Sequence, residues 1–449
     1  MVAECRKGAL PGPADVRGGS AADPGKRSTC AFRARCGEEV DRGGHRAATR
    51  HRALLFRQIA TLGASLTLAC TTHDWTNPSL AAGAEPDAAD AVEPPTDAAP
   101  EFPGDGWIAH LALGATATAS SGLSPASRFW LPEGTTALQV TLTAPRGHLL
   151  QLAELTGDGA PIVPGDWLQK AQQPWLSLGA GQRVRATAWQ AAFLIANAPD
   201  VPLLPGPWQL RAFAFDYDPA TEARQPTATT LDVDVTLLRK PSAAHGSIAL
   251  NLCLSGARGI TAANALAHPR VIAALARGRA TWAKAGIDVS EVRAFDVPVA
   301  ALDVAHDDGE DLEFAALLRL AAGQPDGIPI FLMETVELRT TTGIVSAAGL
   351  TAGLPSPTSM GGPRTGMALA LQYDAPDLLG VVMAHEIGHF LGLFHVVEAA
   401  SPGQEPITDP LTDTLATPDN LMYYAPTPSQ LGLTPQQGAV ARAGPWVTP

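Results

Sequence analysis

The sequence HEIGHFLGLFH, His385–His395, is the segment that most strongly indicates how the chain folds and what it binds. His385 and His389 are four residues apart, so on a helix they lie on one face, about one turn from each other. Gly392 can take the left-handed conformation that ends a helix and turns the chain back, which delivers His395 to the same point. Three imidazoles that leave one coordination position open are typical of a catalytic zinc site, so we expect Zn²⁺ here.

Glu386 follows the first histidine and can point into the space beside the metal. There it can take a proton from an attacking water molecule and later pass it to a leaving amine. The short pattern HExxH is also satisfied by ordinary histidines of an apolar helix. The longer pattern HExxHxxGxxH fixes five positions over eleven residues, which favours the metal site.

At this length the motif resembles the metzincin clan of zinc metallopeptidases. The segment NLMYY, Asn420–Tyr424, follows the motif and places Met422 27 residues after His395. The resemblance implies that Met422 forms the methionine turn, an apolar floor under the histidines, although an ordinary core methionine is the alternative. It also implies that Tyr424 binds the resting zinc and then stabilises the oxyanion. A buried structural tyrosine is the alternative there.

The pappalysin-like branch is the closest in pattern, since HEIGHFLGLFH is similar to its HExGHxLGLxH. The acidic stretch ITDPLTDT, Ile407–Thr414, is similar to the one that precedes the methionine turn in that branch. The resemblance implies that Asp409 and Asp413 hold Ca²⁺. A solvated loop without a cation is the other interpretation of the same residues.

Length and charge restrict the remaining choices. The chain has 449 residues, enough for two or three domains, and a formal net charge of -13, which argues against nucleic acid as a partner. We expect a monomer that acts on protein or peptide substrates. Of the five cysteines, Cys253 alone lies in the region expected to fold, so no disulfide framework is predicted.

The N-terminal third contains an export pattern. Residues 1–49 are rich in Arg, Gly and Ala and are either a disordered leader or residues upstream of the true start. Residues 50–70 have a basic start, an apolar stretch and small residues before Cys70, as in a signal peptide with a lipoprotein cleavage box. Residues 71–103, rich in Ala, Pro and acidic residues, form a linker. We therefore expect an exported protein, either secreted or anchored by lipid at Cys70 in an outer membrane or at the cell surface.

Two folded regions follow the linker. Residues 104–240 contain short alternating segments between Pro and Gly, which predict an all-β sandwich, similar to pre-peptidase domains or serving as a prodomain. Residues 246–449 alternate strands with helices, which predicts an α+β domain of the zincin/metzincin type with a mixed sheet backed by helices. GMALAL, Gly366–Leu371, is the candidate edge strand for pairing with extended substrate.

These patterns predict a zinc metalloendopeptidase that hydrolyses extracellular or periplasmic proteins. The alternative is a catalytically silent surface protein whose zinc-bearing module serves binding or adhesion. Two roles remain for the β domain: it is either an inhibitory prodomain or a module that binds substrate or the cell wall.

Overall fold

A computed structural model describes most of the chain from residue 102 onward. The described residues are 102, 107–157, 161–163, 176–179, 182–185, 189–198, 201–218, 223–240, 245–299, 303–307, 312–340, 343–373, 376–397, 408–409, 411–430 and 432–449. All of them belong to one of the two compact units of the chain. The predicted leader at 1–49, the export segment at 50–70 and all but one residue of the linker at 71–103 lie outside the described residues.

The described residues between 107 and 240 form antiparallel sheets. Their strands are β1 (Ile108–Ala117), β2 (Ser127–Leu131), β3 (Ala137–Thr143), β4 (His148–Gly157), β5 (Pro161–Val163), β6 (Leu176–Gly179), β7 (Gln182–Arg185), β8 (Gln190–Ala196), β9 (Gly206–Asp218), β10 (Ala223–Pro226) and β11 (Thr230–Leu238). The first sheet has the order β1-β11-β3-β8, and the second has the order β10-β9-β4-β5 with β2 beside β9. Strands β6 and β7 pair only with each other in the described part of the chain.

Strand β11 shows how these sheets obtain their core. Leu231, Val233 and Val235 are buried, while the intervening Asp232 and Asp234 are exposed. Successive side chains of a strand point to opposite faces, so the apolar set faces the inside. The leucines and valines of the facing strands complete the same apolar cluster.

The described residues between 246 and 449 combine a mixed sheet with helices. The strands of that sheet are β12 (Gly246–Leu254), β13 (Ile287–Asp296), β15 (Ile328–Met333), β18 (Gly349–Thr351) and β19 (Met367–Ala370). A smaller sheet consists of β14 (Asp303–Asp307), β16 (Thr335–Thr340) and β17 (Gly343–Ala347). The helices are α1 (Pro269–Lys284), α2 (Leu312–Arg319), α3 (Pro376–Phe390) and α4 (Pro435–Ala443).

The expectation that GMALAL is the edge strand is wrong. The mixed sheet has the order β13-β12-β15-β19-β18, so β19, which GMALAL forms, lies between two neighbours. The edge is β18, which runs antiparallel to β19 while the other pairings in this sheet are parallel. A three-residue strand, Gly349–Thr351, is too short to show an alternating pattern.

Helix α3 lies against α1 and is buried on all sides from Leu378 onward. A Cβ atom at Gly380 would lie 2.6 Å from the Cβ of Arg277 and 3.0 Å from the carbonyl oxygen of Ala274. The two helices can approach this closely because Gly380 carries no side chain. The resulting core clamps α3 in place, so side chains on its inner face have fixed positions.

None of the helices in the described residues is both long and apolar enough to span a membrane.

Candidate metal centre

Helix α3 supplies the first two histidines. His385 is fully buried and His389 is 7% exposed, and their ring centroids are 4.7 Å apart with an interplanar angle of 89°. The spacing of four residues produces this arrangement, because residues four apart on a helix lie on the same face, about one turn from each other. Burial on all sides of the helix then limits their rotamers.

The third histidine arrives through a turn at Gly392. The φ of Gly392 is 100°, in the region that residues with a side chain rarely adopt. The N–H of Gly392 donates to the carbonyl of His389 over 2.9 Å. The turn brings Nε2 of His395 to 3.0 Å from Nε2 of His389. One side-chain nitrogen from each of the three histidines, including His385, lies within 4.8 Å of the other two.

Backbone carbonyls orient two of the rings. Nδ1 of His385 lies 2.7 Å from the carbonyl oxygen of Leu421, and Nδ1 of His389 lies 2.7 Å from that of Leu393. A carbonyl oxygen only accepts, so each Nδ1 carries the proton and each Nε2 keeps its lone pair for a metal. This donor set fits a metal ion, and the three histidines can hold one.

Met422 lies directly beneath the ligand helix. It is fully buried, and a Cβ atom added at Gly388, between the two helical histidines, would lie 2.5 Å from its sulfur. The N–H of Val396 donates to the carbonyl of Met422 over 2.9 Å, which ties this segment to the residue after His395. The sulfur therefore fills the space that a side chain at position 388 would need.

A buried amide pair holds the Met422 segment. The side chains of Asn420 and Gln437 exchange two hydrogen bonds of 3.1 and 3.2 Å, and the Asn420 side-chain oxygen also accepts from the N–H of Met422 over 2.8 Å. Gln437 belongs to α4, whose first turn it closes in a capping box with Thr434. Sequence reasoning missed this pair, because its partners are brought together only by the fold.

Glu386 lies beside the edge strand β18. It is 5% exposed, and its carboxylate oxygen Oε2 accepts a hydrogen bond of 2.8 Å from the Thr351 hydroxyl. A Cβ atom at Gly349 would lie 2.8 Å from Cγ of Glu386. Burial raises the pKa of Glu386 to about 7, and the hydrogen bond from Thr351 opposes that shift. Both β18 residues were missed from sequence for the same reason as the strand itself.

Tyr424 lies two residues beyond Met422 and is half-buried. Its ring lies against that of Tyr423, with centroids 4.7 Å apart. Burial and the hydrogen bond with Tyr424 raise the pKa of Tyr423. The described contacts thus pair the two phenols with each other, and the catalytic role of Tyr424 stays a prediction.

Asp409 and Asp413 each have a partner within the chain. The Asp409 carboxylate accepts from the hydroxyl of Thr414, and Asp413 accepts from the N–H of Gln436 over 2.9 Å in the first turn of α4. Within the described ranges, the three histidines form the one group of potential ligands, and neither aspartate belongs to it. The calcium hypothesis stays a prediction.

Comparison with known proteins gives little support for assigning this chain to a family or an activity. No protein-family profile and no curated protein matches the sequence. The crystal structure of metalloproteinase-II from Bacteroides fragilis is 14% identical, with a TM-score of 0.27, over 44% of this chain and 58% of that one. A chaperone-substrate complex is 12% identical, with a TM-score of 0.25, over 56% of this chain and 38% of that one.

A third likeness is to the catalytic unit of a GH87 alpha-1,3-glucanase from Streptomyces thermodiastaticus. It is 15% identical, with a TM-score of 0.17, over 32% of this chain and 28% of that one. The chain therefore spans between 28% and 58% of the length of these three structures. At these TM-scores the likenesses support no conclusion about fold or activity. The chemistry of the metal centre is therefore inferred from its own residues.

The contact between β18 and Glu386 gives a stability prediction. Gly349→Ala should lower the free energy of unfolding by about 1–3 kcal/mol, because the new methyl group overlaps Glu386 and Val382. The measurement is urea unfolding. Gly278→Ala in α1 is the matched control, since its methyl group would meet nothing closer than 3.9 Å. Equal stability of Gly349→Ala and the unchanged protein would contradict the geometry.

Proposed function

We propose that this protein is a zinc-dependent endopeptidase of the metzincin type. The observation that carries the proposal is the convergence of His385, His389 and His395 on one point, with the buried carboxyl of Glu386 one residue from the first of them. Three imidazoles without a fourth protein ligand are the pattern of catalytic rather than structural zinc sites. The glycine turn at Gly392 and the buried Met422 are the further features that favour the metzincin type.

The three histidines would hold the zinc ion through the nitrogens that face one another. A zinc ion bound there supplies a Lewis acid, which lowers the pKa of water and polarises a carbonyl group. The chain's part is to keep the rings in one tautomer and orientation, through the carbonyls of Leu421 and Leu393.

Glu386 is the proposed general base and then the general acid. Its carboxylate takes a proton from the attacking water and later delivers it to the leaving amine. Burial raises its pKa to about 7, and the charge of a zinc ion held beside it would lower that pKa, so the group would be a carboxylate able to accept a proton at neutral pH. Thr351 holds one carboxylate oxygen, so the carboxyl group keeps its direction between the two transfers.

The edge strand β18 favours a peptide substrate. Within the described sheet it has β19 on one side, and Thr351 at its end contacts Glu386. An extended peptide can add to such an edge by backbone hydrogen bonds, which place a scissile bond near the carboxyl group with little demand on sequence. This arrangement supports cleavage within polypeptides.

The mechanism predicts the behaviour of Glu386→Gln. Hydrolysis of casein or of a quenched peptide library should fall by about 10²–10⁴-fold, because the amide cannot accept the proton. Zinc content, measured by metal analysis, should be unchanged. Glu133→Gln, at an exposed turn of the β domain, is the control and should keep full activity.

Two outcomes would contradict the proposal. Full activity of Glu386→Gln would exclude the carboxyl group as the base. A zinc-loaded unchanged protein that cleaves none of these substrates would favour the alternative, a catalytically silent surface-binding protein.

The proposed role of Tyr424 gives a second prediction. Tyr424→Phe should lower kcat by about 10²-fold with little change in KM, since the lost hydroxyl would act on the oxyanion rather than on the bound substrate. Tyr423→Phe is the matched control, because the two rings are neighbours and only one is assigned the role. Unchanged kcat in Tyr424→Phe would remove Tyr424 from the mechanism.

We also propose export with a lipid anchor at Cys70, supported by the basic, apolar and small-residue order of residues 50–70. In bacterial cells fed a labelled fatty acid, the protein should take up the label, and Cys70→Ser should not. Globomycin should shift the band of the unchanged protein to the precursor position. The absence of label on the unchanged protein would rule out the anchor.

A further inference from the structure

One part of the outer face of the sheet β1-β11-β3-β8 is buried, although it points away from the core of its own domain. Thr236, Gln139 and Leu194 are cross-strand partners on that face, and they are 3%, 0% and 5% exposed. Their neighbours along the strands belong to the core between the two sheets. Since side chains alternate along a strand, another part of the chain must cover these three residues.

Part of the cover is the turn that delivers the third histidine. A Cβ atom at Gly392 would lie 3.3 Å from Cδ2 of Leu194, and one at Gly444, just after α4, would lie 3.6 Å from the same atom. Leu194 also forms an apolar cluster with Ala137 and Leu238, against which Ala443 of α4 packs. Leu194 therefore rests on the backbone between His389 and His395.

A polar contact reinforces the same place. The side-chain amide of Gln139 donates to the carbonyl of Ser356 over 3.3 Å, and the N–H of Ser356 donates over 3.1 Å to the carbonyl of Phe390, the last residue of α3. Pro355 lies 3.6 Å from the position of a Cβ atom at Gly392. The segment at 355–356 is thus held between the β domain and the end of the ligand helix.

Lys240, just after β11, provides a second attachment. Its ammonium group donates to the carbonyls of Arg442, over 2.7 Å, and of Gly444, at the end of α4. It also lies 5.0 Å from the centroid of the Trp107 ring. Burial lowers the pKa of Lys240 to about 7, while the last carbonyls of α4, which have no partner within the helix, favour its charged form.

We propose that the β domain is a permanent support of the metal centre and that Leu194 is a positioning residue for the Gly392 turn and, through it, for His395. An inhibitory prodomain must cover the cleft and be able to leave. The described contacts of the first sheet lie instead at the end of the ligand helix, behind His395, where departure would expose apolar surface and loosen a ligand. The inference rests on the metal site of the proposed function but not on peptide hydrolysis.

The test compares leucine truncations in the full-length protein. Leu194→Ala should weaken zinc binding by about ten- to hundredfold in competition with a chelator, as loss of a group that orients a ligand does. Leu111→Ala is the control: Leu111 is a partly buried leucine of β1 that packs into the core between the sheets. Its zinc affinity should equal that of the unchanged protein. Leu194→Met, which keeps the apolar contact, should restore most of the affinity.

Other results would overturn the proposal. Unchanged zinc affinity in Leu194→Ala would show that Leu194 does not position the site, and higher peptidase activity in that variant would support an inhibitory domain. If Leu194→Ala does not fold, Leu194→Val gives the same comparison with a smaller loss of affinity. A protein that binds zinc without cleaving peptides would refute the proposed function while leaving the affinity comparison intact.

Discussion

The backbone turn at Gly392 is the constraint on which the metal centre depends. A straight helix can present two histidines to one point, but the third must come from a chain that reverses direction within a few residues. A φ of 100° allows that reversal, and it is strained for residues with a side chain. The same glycine also lets Leu194 approach the backbone. One residue therefore sets both the direction of His395 and the contact that supports it.

Other glycines show that close approach organises the rest of the site. Gly380 lets α1 approach α3, Gly388 receives the sulfur of Met422, and Gly349 makes room for Glu386. Each lies where two elements meet and where a Cβ atom would overlap a neighbour. Neighbouring elements thus approach the backbone of the ligand helix at Gly380 and Gly388, while β18 approaches the side chain of Glu386 at Gly349.

The sequence predicted the features that repeat or have fixed spacing. Strands β3, β4, β11 and β12 lie where alternating or apolar runs occur, and α3 ends at Phe390, two residues before Gly392, the residue predicted to end it. The three histidines come together as the motif spacing predicted. These successes share a cause, since local periodicity and turn chemistry act over a few residues.

The features that sequence reasoning missed depend on contacts between distant residues. Strand β18 is only three residues long, so Gly349 and Thr351 show no alternating pattern in the sequence. The longer segment GMALAL does show an apolar run, which is why it is predicted as the edge strand although it lies inside the sheet. In the sequence, Leu194 is one more apolar residue of β8. No local pattern indicates that its side chain faces away from the core of the β domain and contacts the turn at Gly392, 198 residues later. Such contacts follow from the topology of the sheets, which a single sequence leaves open.

The position of Met422 bears on how the protein would tolerate oxidants. A methionine sulfoxide carries an additional oxygen and is polar, whereas the sulfur of Met422 is fully buried and would lie 2.5 Å from a Cβ atom at Gly388. The folded protein shields this sulfur and has no room for the oxide. Oxidation there therefore requires that the segment first open, and a chain oxidised while open could not close again beneath its histidines.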